Sequence, residues 1–251
     1  MIGVLRSEWI KLRTIRMNWV LAILAIAFPL VVTGLTAALI NVDDMDSPDL
    51  AGLVTGTSVI TGMLLGVIGA SSITGEFGFG TIRTTFAATP RRSRVIIAKG
   101  VVTVAVAVVV EAAVVVLCFG LGAALLNSRD GDISLSAAGS ARAALVGVVV
   151  FAAIVALLGY GLGLVIRNTP AAVAVLLLWP LVAEGLIGAL LAVTGVDDPF
   201  KWLPYNAGIN LGNPDASTDG SLGRVVGGLY FFGVAAAVTI LGAISTGRRD
   251  A

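Results

Sequence analysis

The chain has 251 residues, of which 57% are hydrophobic and 12% are charged, with a net charge of +1 and a mean hydropathy of +1.01. Soluble domains carry about twice this charge fraction, so the composition predicts a protein that crosses a membrane several times. The near-zero net charge gives no electrostatic basis for binding nucleic acid. The absence of histidine excludes imidazole bases and histidine metal ligands, and a single cysteine, Cys118, excludes an intramolecular disulfide.

The first 17 residues predict a short amphipathic helix ahead of the first apolar run. Ile2, Leu5, Trp9 and Leu12 recur at spacings of three and four residues, which places them on one helical face. Such a helix would lie in the membrane interface; the alternative is a basic flank without helical order. The apolar run that follows lacks a small-residue cleavage motif and is long enough to span, so we expect it to be retained.

Six apolar runs are long enough to cross a bilayer as helices, for which roughly 20 residues are needed. None alternates polar and apolar residues as a membrane β-strand would. The third run is longer than a simple span, so we expect it to tilt, to break near Gly120 and Gly122, or to project from the bilayer. The sequence therefore predicts an all-α, polytopic, single transmembrane domain over 1–251, with spans at about 18–40, 51–74, 98–126, 142–166, 171–194 and 225–245.

The distribution of basic residues predicts the orientation of these spans. With the N-terminus inside, twelve of the 16 Lys and Arg residues lie on the cytoplasmic side. The positive-inside rule then places both termini in the cytoplasm, and we expect the protein to lie in the plasma membrane. Residues 195–224 form an outer loop, whose Trp202 and Tyr205 suit an interfacial position.

The segment between spans two and three, residues 75–97, is the richest in chemistry. Together with the start of span three it reads GEFGFGTIRTTFAATPRRSRVIIAK. Its glycines permit a sharp exit from span two, and Thr81–Ala88 has room for two helical turns before Pro90 ends them. A short helix held between two rigid spans could pass motion between a soluble partner and the bundle. The alternative is that the arginines of this segment only bind anionic lipid headgroups.

The pattern E-F-G-x-G-T-I-R, followed by P-R-R-S-R and then a lysine, resembles the permease subunits of ABC type-2 transporters. So do SEWIKLRTIR before span one, the six-span plan, and Leu203-Pro204 before the last span. The resemblance implies that residues 1–17 are a connecting helix and that 75–97 is a coupling loop, in which Thr81–Ala88 meets a nucleotide-binding subunit. The residues that match or flank the loop pattern are Glu76, Gly80, Thr81, Arg83, Arg91, Arg92, Arg94 and Lys99.

The resemblance also implies the partners. Two permease subunits, identical or related, would pair with two ABC ATPase subunits, and export is the usual direction. The outer segment 195–224 would form a partly re-entrant cap. This chain contains no G-x-x-x-x-G-K-[ST] phosphate-binding motif, so ATP and Mg²⁺ are expected on the ATPase. We expect no catalytic, cofactor-binding or metal-binding residue in this chain, and the substrate is not identified.

Two acids lie at mid-membrane depth, Glu111 in span three and Glu184 in span five. A charge there costs at least ~2.5–3.5 kcal/mol, so such groups usually face the bundle interior. They could serve as a proton relay or polar handle for substrate, or simply as interhelical hydrogen-bonding groups. We favour the structural interpretation, because an ATP-driven pump needs no proton carrier.

Two alternative classes of function are an ion-coupled secondary transporter and a membrane enzyme. An ion-coupled secondary transporter would use Glu111 and Glu184 as relays, and would favour a visible repeat between the two halves, which the sequence lacks. A membrane enzyme would need a nucleophile or paired acids, and neither a GxSxG motif nor paired intramembrane aspartates are present.

Overall fold

The computed structural model describes residues 2–82, 92–214, 216 and 221–249. Within these residues it holds helices and turns and no strand, and six helices are long and apolar enough to cross a membrane. The predicted all-α fold with six spans is therefore confirmed. In chain order the helices are α1 (Ile2–Thr14), α2 (Arg16–Leu39), α3 (Ser47–Gly78), α4 (Arg92–Asn127), α5 (Ala141–Ile166), α6 (Thr169–Leu178), α7 (Glu184–Val193), α8 (Pro204–Ile209) and α9 (Arg224–Arg249).

Helix α1 forms where the apolar spacing predicts a helix, but the predicted stripe is divided between two environments. Leu12 is buried and packs with Leu65 and Ile68 of α3, whereas Trp9 is half exposed. The acid Glu8, which the apolar stripe does not include, is buried instead. The face of α1 that contacts the bundle therefore differs from the predicted apolar face, and it includes charged residues.

Helices α3 and α5 form the centre of the bundle and are buried over most of their length. Glycines let them approach closely: a Cβ on Gly69 would overlap the carbonyl oxygen of Ala156, and a Cβ on Gly159 would overlap that of Gly66. Small residues at four-residue spacing serve this kind of contact in membranes. Here they hold two helices of the same chain together.

Helix α4 runs through the predicted break without interruption. Its 36 residues extend for about 54 Å, compared with ~30 Å of hydrocarbon. Gly122 faces Leu50 of α3 and Thr33 of α2, where a Cβ would crowd both side chains. This glycine therefore serves helix packing, and the helix tilts or projects from the bilayer.

The fifth span consists of α6 and α7, which are joined by one π-helical turn, Trp179–Ala183. Pro180 lies in this turn and cannot donate a backbone hydrogen bond. The wider turn at a proline is a common cause of a bend in a helix. At the other end, the Asn168 side chain accepts the backbone N–H of Ala171 at 3.0 Å, with Pro170 in the first turn.

Side chains cap the helix ends on the side of the bundle opposite α1. Asp46 and Asp49 form a reciprocal capping box at the start of α3. The Arg129 guanidinium donates to the carbonyl oxygens of Ala37 and Ala38 at 3.1 and 3.0 Å, near the end of α2. A cation at a helix C-terminus is favourable because unpaired carbonyl groups accumulate there.

Candidate coupling site

Two acids and two lysines meet at one end of the bundle, where α1, the end of α3 and the start of α4 converge. The Lys99 ammonium donates to Oε1 of Glu76 at 2.9 Å and to Oε2 of Glu8. The Lys11 ammonium donates to Oε1 of Glu8 at 2.8 Å and to Oε1 of Glu76 at 2.9 Å. Each lysine thus bridges both acids. We call Glu8, Lys11, Glu76 and Lys99 the ion-pair cluster.

The cluster is largely removed from solvent. The side chains of Glu8 and Lys99 are 2% and 3% exposed, and that of Lys11 is 36% exposed. Burial lowers the pKa of Lys11, but its hydrogen bonds with Glu8 and Glu76 outweigh this effect and hold the pKa above its ordinary value. Because the formal charges of two acids and two lysines cancel, the group can be buried together; removal of one member leaves an uncompensated charge.

Local sequence explains how the cluster is assembled. Glu8 and Lys11 are three residues apart, which places them on one face of α1. Leu12 lies on the same side of α1 and packs into the core. Because Glu8 and Lys11 share this side, they also face the bundle. Glu76 lies in the last turn of α3, and Lys99 lies two turns into α4. The cluster therefore joins the helix before span one to the end of span two and the start of span three.

Both ends of the 83–91 segment are anchored to the core close to this cluster. Gly80 has a φ of 69°, in the left-handed region that glycine adopts readily, and it turns the chain after α3. Ile82 on one side and Val95 on the other are buried in one apolar cluster. The Tyr160 hydroxyl donates to the carbonyl oxygen of Ile96 at 2.8 Å. The described residues on both sides of this segment are therefore packed against α3 and α5.

The structure brings together two of the residues predicted from the loop pattern, Glu76 and Lys99. Gly80 provides the turn, and Thr81 and Arg94 are exposed. Arg92 is the first residue of α4. Arg83, Arg91 and the predicted coupling helix after Ile82 lie outside the described residues.

Sequence reasoning missed Glu8 and Lys11 as site residues. It assigned the face of α1 from apolar spacing alone and used the basic residues of this segment only to predict the orientation. The available signal was an acid–base pair at a spacing of three residues in a chain with very few charges. Such a pair on a predicted helix indicates a shared face, although its partners on α3 and α4 are distant in sequence.

A cavity of about 350 Å³ adjoins the ion-pair cluster between α1, α3 and α4. Ser71, Ser72 and Thr81 line it together with Glu76 and Lys99. The second carboxyl oxygen of Glu76, Oε2, is buried without a hydrogen-bond partner among the described residues. The cluster is thus bordered by a cavity that polar side chains line in part.

Glu184 of the fifth span is fully buried and fully paired. Its carboxylate accepts the backbone N–H groups of Tyr205 and Asn206 at 2.8 and 2.9 Å, the Asn206 amide at 2.7 Å, and the Trp179 indole N–H at 2.9 Å. The acid therefore caps the first turn of α8. Glu184 lies nine residues before the end of α7, or about 14 Å along the helix, so α8 enters the bundle to that depth. This geometry fits a structural role.

Glu111 of α4 differs from Glu184 in its surroundings. It is also fully buried, but neither carboxyl oxygen has a hydrogen-bond partner in the part of the chain that the structure describes. Thr33 of α2 also has a buried, unpaired hydroxyl, and Cys118 is buried two turns further along α4. Both intramembrane acids lie within apolar runs of the sequence, but in the structure only Glu184 is surrounded by hydrogen-bond donors.

A family model described as "ABC-2 family transporter protein" matches residues 4–182, which is 179 of the 251 residues. The matched range contains the whole ion-pair cluster and the segment between α3 and α4. No curated protein matches the chain significantly.

Proposed function

The chain belongs to the ABC-2 transporter family, and from this premise we propose that it is the permease subunit of an ATP-driven exporter. It is a multi-pass membrane protein with six candidate spans. In the proposed complex it pairs with a second copy or a related permease in the plasma membrane. Two ABC ATPase subunits bind ATP and Mg²⁺ on the cytoplasmic side, where both termini of the chain lie.

The ion-pair cluster is the observation that carries the mechanism. It joins α1 to the last turn of α3 and to the start of α4, and the segment between spans two and three connects these two helices. An ATPase that pushes on this segment would therefore move the ends of two spans and α1 together. Because α1 leads directly into α2, the same displacement would reach span one.

Hydrolysis is assigned to the partner on chemical grounds. The chain has no glycine-rich phosphate-binding loop of the G-x-x-x-x-G-K-[ST] type, which supplies backbone N–H groups and a lysine to the phosphates. Glu8 and Lys99 are charged residues that are buried, and each forms ion pairs with other members of the ion-pair cluster. They are suited to holding helices together and not to binding a nucleotide.

The first experiment is purification of the tagged chain from its native membrane in mild detergent, followed by mass spectrometry. We expect a stoichiometric protein that carries the G-x-x-x-x-G-K-[ST] motif. A homo-oligomer that contains no ATPase in several detergents would contradict the proposal and favour the ion-coupled transporter. In that case transport would collapse with the ion gradient, survive ATP depletion, and depend on Glu111 and Glu184.

A further inference from the structure

An apolar cavity of about 370 Å³ lies where α1 meets α2, α3 and α4. Ala22, Ile68, Val106 and Val110 line it, so most of its wall offers only hydrocarbon contacts. Its volume falls in the range of small-molecule sites in proteins, ~300–1,000 Å³. Among the described residues, polar groups enter its lining only from the end of α1 and the start of α2.

Asn18 is the first of these polar groups. The residue is only 7% exposed, and its amide nitrogen donates to the carbonyl oxygen of Leu12 at 3.0 Å. That hydrogen bond fixes the orientation of the amide and leaves Oδ1 buried, with no donor among the described residues. An unsatisfied buried acceptor is unfavourable, so a ligand that brings a hydroxyl or ammonium donor would be favoured here.

Arg13 is the second polar group of the cavity. Its side chain is exposed, and no carboxylate of the described residues lies within ion-pair distance of it, in contrast to the paired lysines of the ion-pair cluster. The guanidinium group is therefore available to an anion, and its planar geometry suits the oxygens of a phosphate.

Two half-exposed tryptophans, Trp9 and Trp19, complete the lining. The Trp19 indole N–H donates to the carbonyl oxygen of Arg13 at 2.7 Å, which holds the end of α1 against the start of α2. Tryptophan is enriched at the level of lipid headgroups. The cavity thus has an apolar interior, and its lining includes a cation, a buried hydrogen-bond acceptor and two tryptophan rings.

We propose that this cavity binds one phospholipid of the phosphatidylglycerol type from the leaflet on the α1 side. The phosphate lies on Arg13, a headgroup hydroxyl donates to Oδ1 of Asn18, and an acyl chain follows Ala22, Val106 and Val110. Free phosphate or glycerol phosphate would satisfy the polar groups but would leave the apolar wall empty. The proposal concerns a resident lipid and holds whatever substrate the transporter moves.

The test is native mass spectrometry of the purified full-length chain after exchange into detergent with added phosphatidylglycerol or phosphatidylcholine. We expect one retained phosphatidylglycerol, and at least about tenfold weaker retention of phosphatidylcholine, which lacks the donor and the net charge; tenfold corresponds to about 1.4 kcal/mol. Asn18→Leu and Arg13→Gln should each reduce retention of phosphatidylglycerol. Ala22→Phe, which fills the apolar part, should abolish it.

Arg142→Gln is the matched control, because Arg142 is an exposed arginine at the other end of the bundle. It should retain the lipid like the parent chain. Thermal unfolding identifies any variant that has lost its fold, and Ala22→Phe provides a test that leaves Arg13 and Asn18 unchanged.

Three results would overturn the proposal. The first is equal retention of phosphatidylglycerol by the parent and by the Arg13→Gln, Asn18→Leu double variant. The second is binding of inorganic phosphate or glycerol phosphate as tight as that of the lipid. The third is a purified dimer that excludes the lipid while the monomer binds it, which would identify a second copy of the chain as the occupant of the cavity.

Discussion

Lys99 and Glu8 lie 91 residues apart in the chain and form a buried ion pair between the start of α4 and the middle of α1. Lys11 and Glu76 complete the ion-pair cluster. The helix that precedes the first span is therefore held to the end of span two and to the start of span three. In the complex that we propose, this region would receive force from the ATPase. The structural role of this cluster and its proposed role in coupling can be tested by separate substitutions.

Replacement of Lys99 by Met should strongly destabilise the protein. It leaves Glu8 and Glu76 with Lys11 as the remaining cation, and breaking a buried pair costs ~3–5 kcal/mol. Lys201→Met is the matched control, because Lys201 pairs with the exposed Asp198 at 3.9 Å, and surface pairs contribute about 0–1 kcal/mol. Thermal unfolding in detergent measures both. Equal melting temperatures of the two variants would show that the cluster does not hold the helices together.

The Lys11 side chain predicts a dependence of stability on alkaline pH. Its pKa in the folded protein is above the ordinary value of 10.5, because hydrogen bonds to Glu8 and Glu76 outweigh the effect of burial. This contribution to stability is fully present below pH 10.5 and is lost as the pH rises through the folded-state pKa. Melting curves from pH 8 upward should show a steeper alkaline decline for the parent chain than for Lys11→Met. Parallel curves would contradict the pairing of Lys11.

Substitutions in the 75–97 segment should uncouple the proposed transporter without disturbing its insertion. Thr81→Pro restricts the backbone of the preceding Gly80 to extended conformations, and Gly80 makes the left-handed turn that leaves α3. Arg83→Glu reverses a charge that would face the ATPase. We expect both variants to reach the membrane and to lose stimulation of ATPase activity in proteoliposomes. Arg142→Glu, at the opposite end of the bundle, should behave like the parent. Parental transport by both loop variants would contradict the coupling role.

The two intramembrane acids should respond differently to the same isosteric change. The Glu184 carboxylate accepts four hydrogen bonds. In Glu184→Gln one of its two oxygens becomes an amide nitrogen, which cannot accept the donors that face it. Hydrogen bonds to charged groups contribute about 1.5–3 kcal/mol each. Glu111→Gln removes at most an interaction with the Ser58 hydroxyl, which does not reach hydrogen-bond geometry, and a lone charge is costly in an apolar interior. We expect a clear loss of thermal stability for the first variant and a change within about 1 kcal/mol for the second. The reverse order would contradict the structural role of Glu184.

The packing of α3 against α5 predicts that a single methyl group is too large at Gly69. Its Cβ would overlap the Ala156 carbonyl oxygen, and overpacking of this kind costs ~1–3 kcal/mol. Gly52→Ala is the control on the same helix, because a Cβ at Gly52 meets no atom within 4 Å. In that position alanine should be neutral or stabilising, by up to ~1 kcal/mol, through its higher helix propensity. Equal melting temperatures of Gly69→Ala and Gly52→Ala would contradict the close packing of α3 against α5 at Gly69.

The number and approximate positions of the spans could be predicted from the sequence, because a membrane imposes a local rule. Backbone groups in hydrocarbon must be satisfied within the same segment, so about 20 consecutive apolar residues indicate a helix without reference to its neighbours. The turn at Gly80 and the cap at Asn168 are local in the same sense, since each depends on a few adjacent residues. Glu76 and Lys99 could be singled out through a family pattern confined to one loop and the start of the next span.

Only the tertiary structure decided how these local pieces meet. Apolar spacing on α1 could not show that Glu8 turns inward, since its partners Lys99 and Glu76 lie on helices that are distant in the chain. Likewise Glu111 and Glu184 are both acids within apolar runs, and only the entry of α8 into the bundle gives one of them its hydrogen-bond donors. Helix formation in a membrane follows from composition along one segment, whereas the pairing of buried charges depends on which faces of separate helices come into contact.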